Sequence, residues 1–208
     1  MNSFKQILVF CFVTFSMSLH ASLITYEKQG FTGNFSHADL KTKWYELGQI
    51  DSSTSLDKFD RVFSGNYTFS HLVIDIDMKE KSTWTLEAGL DAGLGAQVYI
   101  DDVSVFKDSS NIWWSYNWNH RDLIRLEDIA LTLGVHKIEL FWLENCCNGY
   151  NSVRLTDQSR AVTSLLSLGA IELAQGKTLV PEPHMHVVMG LALLLFGCKL
   201  RKQKADAI

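Results

Sequence analysis

Three short stretches carry residue types that can do chemistry. Asp101-Asp102 ends an apolar alternating run and gathers four hard oxygens in a small volume. Calcium favours such sites, because it takes many oxygen ligands in irregular loops. The same pair also makes an ordinary Asp-rich β-turn. The second stretch is Glu144-Asn145-Cys146-Cys147-Asn148-Gly149, with amide oxygens on either side of two adjacent thiols. The third is NIWWSYNWNH at 111–120, where strand alternation sets Ile112, Trp114, Tyr116 and Trp118 on one face. Trp113 is then an exposed indole among polar neighbours, suited to stacking on a sugar ring or filling an interface.

The thiols have few options. Of four cysteines, Cys11 and Cys198 lie in apolar end runs, so the body of the chain keeps only Cys146 and Cys147. In an oxidising compartment they can bond each other, bond another molecule or stay free. Adjacent Cα atoms lie about 3.8 Å apart, below the usual disulfide range of roughly 4.4–6.8 Å. A bond between them would therefore force Asn145–Asn148 into a tight, rigid turn. A zinc site is poorly supplied, since two thiolates need further ligands and no His or Cys lies nearby.

Two other features have plainer readings. Asp75 and Asp77 alternate with Leu72, Ile74, Ile76 and Met78, which is the pattern of a sheet face turned to water. Gly89–Gly95 holds three glycines after a strand, but its spacing fits neither the dinucleotide nor the Walker pattern, and a strand follows it. It reads as a wide connection.

The elements that must position these groups are strands. In Gly134–Leu155, Ile138, Leu140 and Trp142 point one way and Lys137 and Glu139 the other. Asn148-Gly149 turns the chain into a returning strand through Ser152, Arg154 and Thr156. Further strands are expected at Tyr67–Met78, Thr83–Leu90, Gln97–Ile100, Val103–Phe106 and Asp128–Leu133. Trp44–Ile50 reads as a strand and Asp51–Ser55 as a polar loop. Ser36–Asp39 has capping-box spacing for a brief helix through Leu40. Residues 160–176 read as a final strand and a tether. At least seven alternating runs separated by Gly, Asn and Asp predict an all-β, antiparallel jelly-roll-like β-sandwich.

The chain of 208 residues has a net charge of −4. Its middle is more acidic than that, because Lys5, Lys199, Arg201, Lys202 and Lys204 sit in the end segments. With no basic run, nucleic acid is excluded as a partner, since phosphate neutralisation needs clustered Lys and Arg. Residues 1–21 have the layout of a signal peptide: Lys5, an apolar run over 7–19, then Ala21. Residues 22–180 form the domain. Pro181-Glu182-Pro183 then precedes an apolar run from Val187 to Cys198 and a basic end. That run falls short of the roughly 20 residues of a comfortable spanning helix.

Pro181-Glu182-Pro183, the short apolar helix and the basic end resemble a PEP-CTERM sorting signal, and the double cysteine with Asn148-Gly149 resembles the CCxG subset of those proteins. The resemblance implies an exosortase partner, transient anchoring in the inner membrane of a Gram-negative bacterium, and delivery to the cell surface or extracellular matrix. It also implies association with exopolysaccharide and biofilm. Residues 66–156 resemble the protective-antigen-type jelly-roll domain of flocculins and some adhesins and glycosidases. There an Asp-Asp pair on one loop and an Asn-bearing second loop hold a calcium ion that contacts sugar. The resemblance puts Asp101 and Asp102 on the first loop and Asn145, Asn148 or Asn151 on the second. Three functions follow: a calcium-dependent glycan-binding module with Trp113 as stacking platform, a self-associating matrix protein, or a glycosidase. No catalytic motif supports the last, so no enzyme is expected.

Overall fold

A computed structural model of the chain describes residues 22–33, 35, 38–147, 149–159 and 161–175. The expected signal peptide and sorting signal, including Pro181, Glu182 and Pro183, lie outside them, as does Asn148. No helix among the described residues is long and apolar enough to cross a membrane.

The chain forms β1 (Leu23–Gly30), α1 (Leu40–Leu47), β2 (Ser52–Ser55), β3 (Val62–Phe63), β4 (Thr68–Met78), β5 (Ser82–Gly89) and β6 (Asp91–Ala92). There follow β7 (Ala96–Ile100), β8 (Val103–Asp108), β9 (Ile112–Trp113), β10 (Ile124–Leu131), β11 (Gly134–Glu144), β12 (Tyr150–Asp157), β13 (Val162–Leu165) and α2 (Leu168–Ala174). One sheet runs β2-β1-β4-β11-β7-β8 and the other β10-β5-β12-β13, with β3 on β12. β6 pairs with β9 in a separate two-stranded ribbon, and the pairings are antiparallel throughout. The all-β sandwich expected from the alternation is the fold.

β11 is the spine, laddered to β4 along its whole length and to β7 over Ile138–Trp142. Its Ile138, Leu140 and Trp142 enter the core between the sheets, as the period of two requires, and all three are fully buried. The Trp142 indole donates to Ser64 Oγ at 2.9 Å and stacks on Tyr26 at 5.8 Å. The opposite face of β11 is exposed at Val135 and Lys137 but buried from Glu139 onward, where α1 covers it. Leu40 and Trp44 of the helix pack on Phe69, Phe141 and Leu143.

Under that helix Glu139 is buried, and its carboxylate meets Lys41 and His71 Nε2, the latter at 3.2 Å. Burial opposes ionisation there, but those partners hold the Glu139 pKa down at about 2.

Several local expectations are corrected. Trp44–Ile50 is not a strand: Asp39 caps α1 by accepting from Thr42 N at 2.7 Å, and Leu40 and Trp44, one turn apart, bury together. Ser52–Ser55 is an edge strand on β1, all exposed, so it has no apolar alternation to reveal it. Ser167 caps the unforeseen α2, which buries Ile171 and Ala174. The aromatic stretch is a strand only at Ile112–Trp113, since Ser115 and Tyr116 adopt positive φ and turn the chain.

Trp142→Ala removes the largest side chain of β11 from the sandwich core. It should lower stability by about 3–5 kcal/mol in urea unfolding, and a loss under 1 kcal/mol would contradict the packing described.

Candidate functional site

Asp101 and Asp102 form the tight turn between β7 and β8, with φ of +48° and +66°. Asp tolerates that left-handed conformation, which is what a two-residue hairpin loop needs. Both carboxylates are engaged. Asp101 faces His136 Nδ1 at 2.7 Å and accepts from Lys137 N at 2.9 Å, and Asp102 meets Lys41 Nζ at 2.6 Å. The register of β7 on β11 sets this turn beside Lys137, while Asn145 follows the other end of the strand. At about 3.3 Å per residue the two lie roughly 25 Å apart. Asp101 and Asp102 therefore share no calcium site with Asn145.

Different residues converge at the far end of β11. Asp91 of β6, Glu144 ending β11, the loop through Asn145, Cys146 and Cys147, and Trp113 of β9 line one pocket of about 300 Å³. Asp91 and Trp113 also line a second of about 240 Å³, with Ser115, Tyr116, Gly149 and Tyr150. Trp113 is 58% exposed, as its polar neighbours suggested. Its neighbour Trp114 is buried against Gly89, where any side chain would overlap the indole, and this packing turns Trp113 outward. Tyr116 and Trp118 lean on Trp114 and carry Arg61 and Arg154 over their rings at 4.0 and 4.5 Å.

Asp91 and Glu144 are hydrogen-bonded to each other. Backbone groups fix both: Gly149 N donates to Asp91, Cys146 N to Glu144 Oε1 at 2.6 Å, and Gly93 N to Glu144 Oε2 at 3.2 Å. Side chains at Gly93 or Gly149 would overlap Asn145 or Asp91, so the glycines let two loops close around the carboxyls. Burial raises the pKa of both acids, and the Asp91 charge raises that of Glu144 further. The pair thus favours holding a proton, or a cation in its place.

Cys146 and Cys147 form a vicinal disulfide on the rim, resolving the three outcomes left open by sequence. Both cysteines are exposed. Asn151 is no ligand-facing group: it is fully buried, accepts from Asp91 N at 2.9 Å, and donates to Val62 O and Ser64 Oγ. It holds the backbone beneath Asp91.

The candidate pocket thus brings together Trp113, Asn145, Cys146 and Cys147 with Asp91 and Glu144, which the sequence did not point to, and lies apart from Asp101 and Asp102. Asp91 sits in the Gly89–Gly95 connection, and the signal that could have found it is an acidic residue among glycines at a strand end. Among the described residues no three His, Cys, Asp or Glu side chains converge. The donors present are two carboxylates and the Asn145 amide, all oxygen, a set that suits a hard cation.

No protein-family model matches the chain, and no curated protein matches it. Solved structures do share similarity. A PA14 sugar-binding domain from an RTX adhesin is 10% identical, with a TM-score of 0.48 over 72% of this chain and 97% of that one. The PA14 domain of the MpAFP antifreeze protein is 9% identical, with a TM-score of 0.47 over 72% and 88%. The Epithelial Adhesin 9 A domain from Candida glabrata, in complex with Galb1-3GlcNAc, is 10% identical, with a TM-score of 0.47 over 69% and 86%.

Because the folded pKa values of Asp91 and Glu144 lie above their unfolded ones, the pair's stabilising contribution is complete below the unfolded carboxylate range. It is lost as pH rises through the raised values. In chelator at pH 7, Asp91→Asn should therefore melt a few degrees above the parent, at about 2–4 °C per kcal/mol. The gain should shrink at pH 4. Equal or lower melting at pH 7 in calorimetry would contradict the like-charge pair.

Proposed function

We propose that the protein is a glycan-binding module and that the sugar lies on Trp113 over the Asp91–Glu144 pocket. The observation that carries this reading is a large, exposed indole fixed beside convergent carboxyl oxygens in a concave site. Sugar rings present an apolar C–H face to aromatics and hydroxyls to polar groups, and the pocket offers both. Its vicinal disulfide restricts the 145–147 loop, which lowers the ordering cost of binding.

The reading includes calcium. Asp91, Glu144 and Asn145 would hold it. An ion there would neutralise the two carboxylates and offer open coordination positions to sugar hydroxyls. Binding is favoured over glycoside hydrolysis. Carboxyls in hydrogen-bond contact are closer than the roughly 5 Å that a retaining glycosidase keeps between nucleophile and acid.

The residues at each end extend the proposal. A signal peptide at 1–21 and a sorting signal at 181–208 fit an exported protein delivered through an exosortase to a bacterial surface or matrix. There the module would hold extracellular polysaccharide, including that of biofilms.

Affinity electrophoresis through gels containing dextran, galactomannan or mixed-linkage β-glucan tests the reading. The parent should be retarded in at least one gel with millimolar calcium and released by chelator. Trp113→Ala should lose at least tenfold in affinity at unchanged melting temperature, and Asp101→Ala should behave like the parent. Absence of retardation in every gel would count against glycan binding. Retardation that ignores chelator would remove calcium alone.

A further inference from the structure

We infer that the site takes an internal stretch of a neutral polysaccharide, roughly three rings long, one per pocket. The inference rests on the glycan reading and deepens it. Three pockets adjoin at this end of the sandwich. The central one shares Asp91 and Trp113 with the second. On its other side it shares Asn145 with a third, of about 560 Å³, which Tyr67, Phe31 and Leu94 also line. Through these shared lining residues the three pockets adjoin in a row, which we read as one trough.

Each pocket has an aromatic ring presented to solvent. Tyr67 is 65% exposed, on the turn before β4; Trp113 serves the centre; and Tyr150 is 45% exposed at the far pocket. Tyr150 is braced by Phe63 with ring centroids at 4.2 Å, so its ring is held in place without being buried. Large aromatics left exposed along one trough mark a surface that something covers. Aromatic rings at successive positions suit a chain of pyranose rings, each offering its C–H face, better than a single terminal sugar.

The charge fixes the class. Among the described residues no Lys, Arg or His lines any of the three pockets, and the acidic side chains there are Asp91 and Glu144. With calcium on Asp91 and Glu144 the centre is neutral, and a polymer carrying carboxylate or sulfate on each ring would find no Lys, Arg or His among the described lining residues to offset the desolvation of its charges. Neutral hexose polymers do not meet that penalty.

The test is isothermal titration of the full protein, in millimolar calcium, with gluco-, manno- and galacto-oligosaccharides from monosaccharide to hexasaccharide. Oligogalacturonates of the same lengths are run beside them. For the sugar that binds, affinity should rise by at least tenfold between one and three rings and then level off. Tyr67→Ala and Tyr150→Ala should each reduce that ratio, with melting temperatures like the parent's. A monosaccharide bound as tightly as the trisaccharide would overturn the extended trough while leaving a single-sugar site. Oligogalacturonates bound as tightly as the neutral series would overturn the neutral class. Binding of no series would overturn this inference together with the glycan reading.

Discussion

Two carboxyl groups in contact set the constraint at the end of the sandwich. Asp91 and Glu144 cannot both ionise next to each other inside a half-enclosed pocket without a proton or a cation between them. The surrounding structure maintains that contact. Asn151 fixes the backbone at Asp91, Gly149 and Cys146 donate to the acids, and the ladder of β11 brings Glu144 to its place. A pair arranged this way carries a built-in electrostatic cost, which a bound cation would relieve. Stability is therefore coupled to the protonation of these two carboxyls.

The opposite end of β11 shows how the same residue types serve packing instead. Asp101 and Asp102 are matched by His136, Lys137 and Lys41, and Lys41 also meets the buried Glu139 beneath α1. Lys41 bridges Asp102 and Glu139 and so ties α1 to the sheet, while Asp101 is taken up by His136 and the Lys137 backbone N–H. At the Asp91 end the charges are alike. That difference separates the Asp101-Asp102 turn from the candidate site, and counting aspartates does not reveal it.

The sheets were legible because their signal is local. Alternation in β4 and β11 predicted which side chains enter the core, and Trp142 is where its period puts it. Trp113 was legible as the odd residue in an aromatic run. The rest depended on contacts distant in sequence. Nothing near Glu144 announces Asp91, which comes to it from another loop. The all-polar β2 forms only because β1 has an edge to offer. The turn at Ser115-Tyr116 is imposed by Trp114 packing on Gly89, which no strand period anticipates. Asp101-Asp102 misled because two adjacent acids resemble a metal loop until their partners are known.

The proposed function places sugar on the loops around Asp91, Trp113 and Glu144. Hydrogen–deuterium exchange of the protein with and without a retained neutral polysaccharide measures this directly. Sugar bound there should slow exchange over 90–95, 111–116 and 144–151 and leave 101–104 unchanged. Protection confined to 101–104 and 133–137 would contradict it.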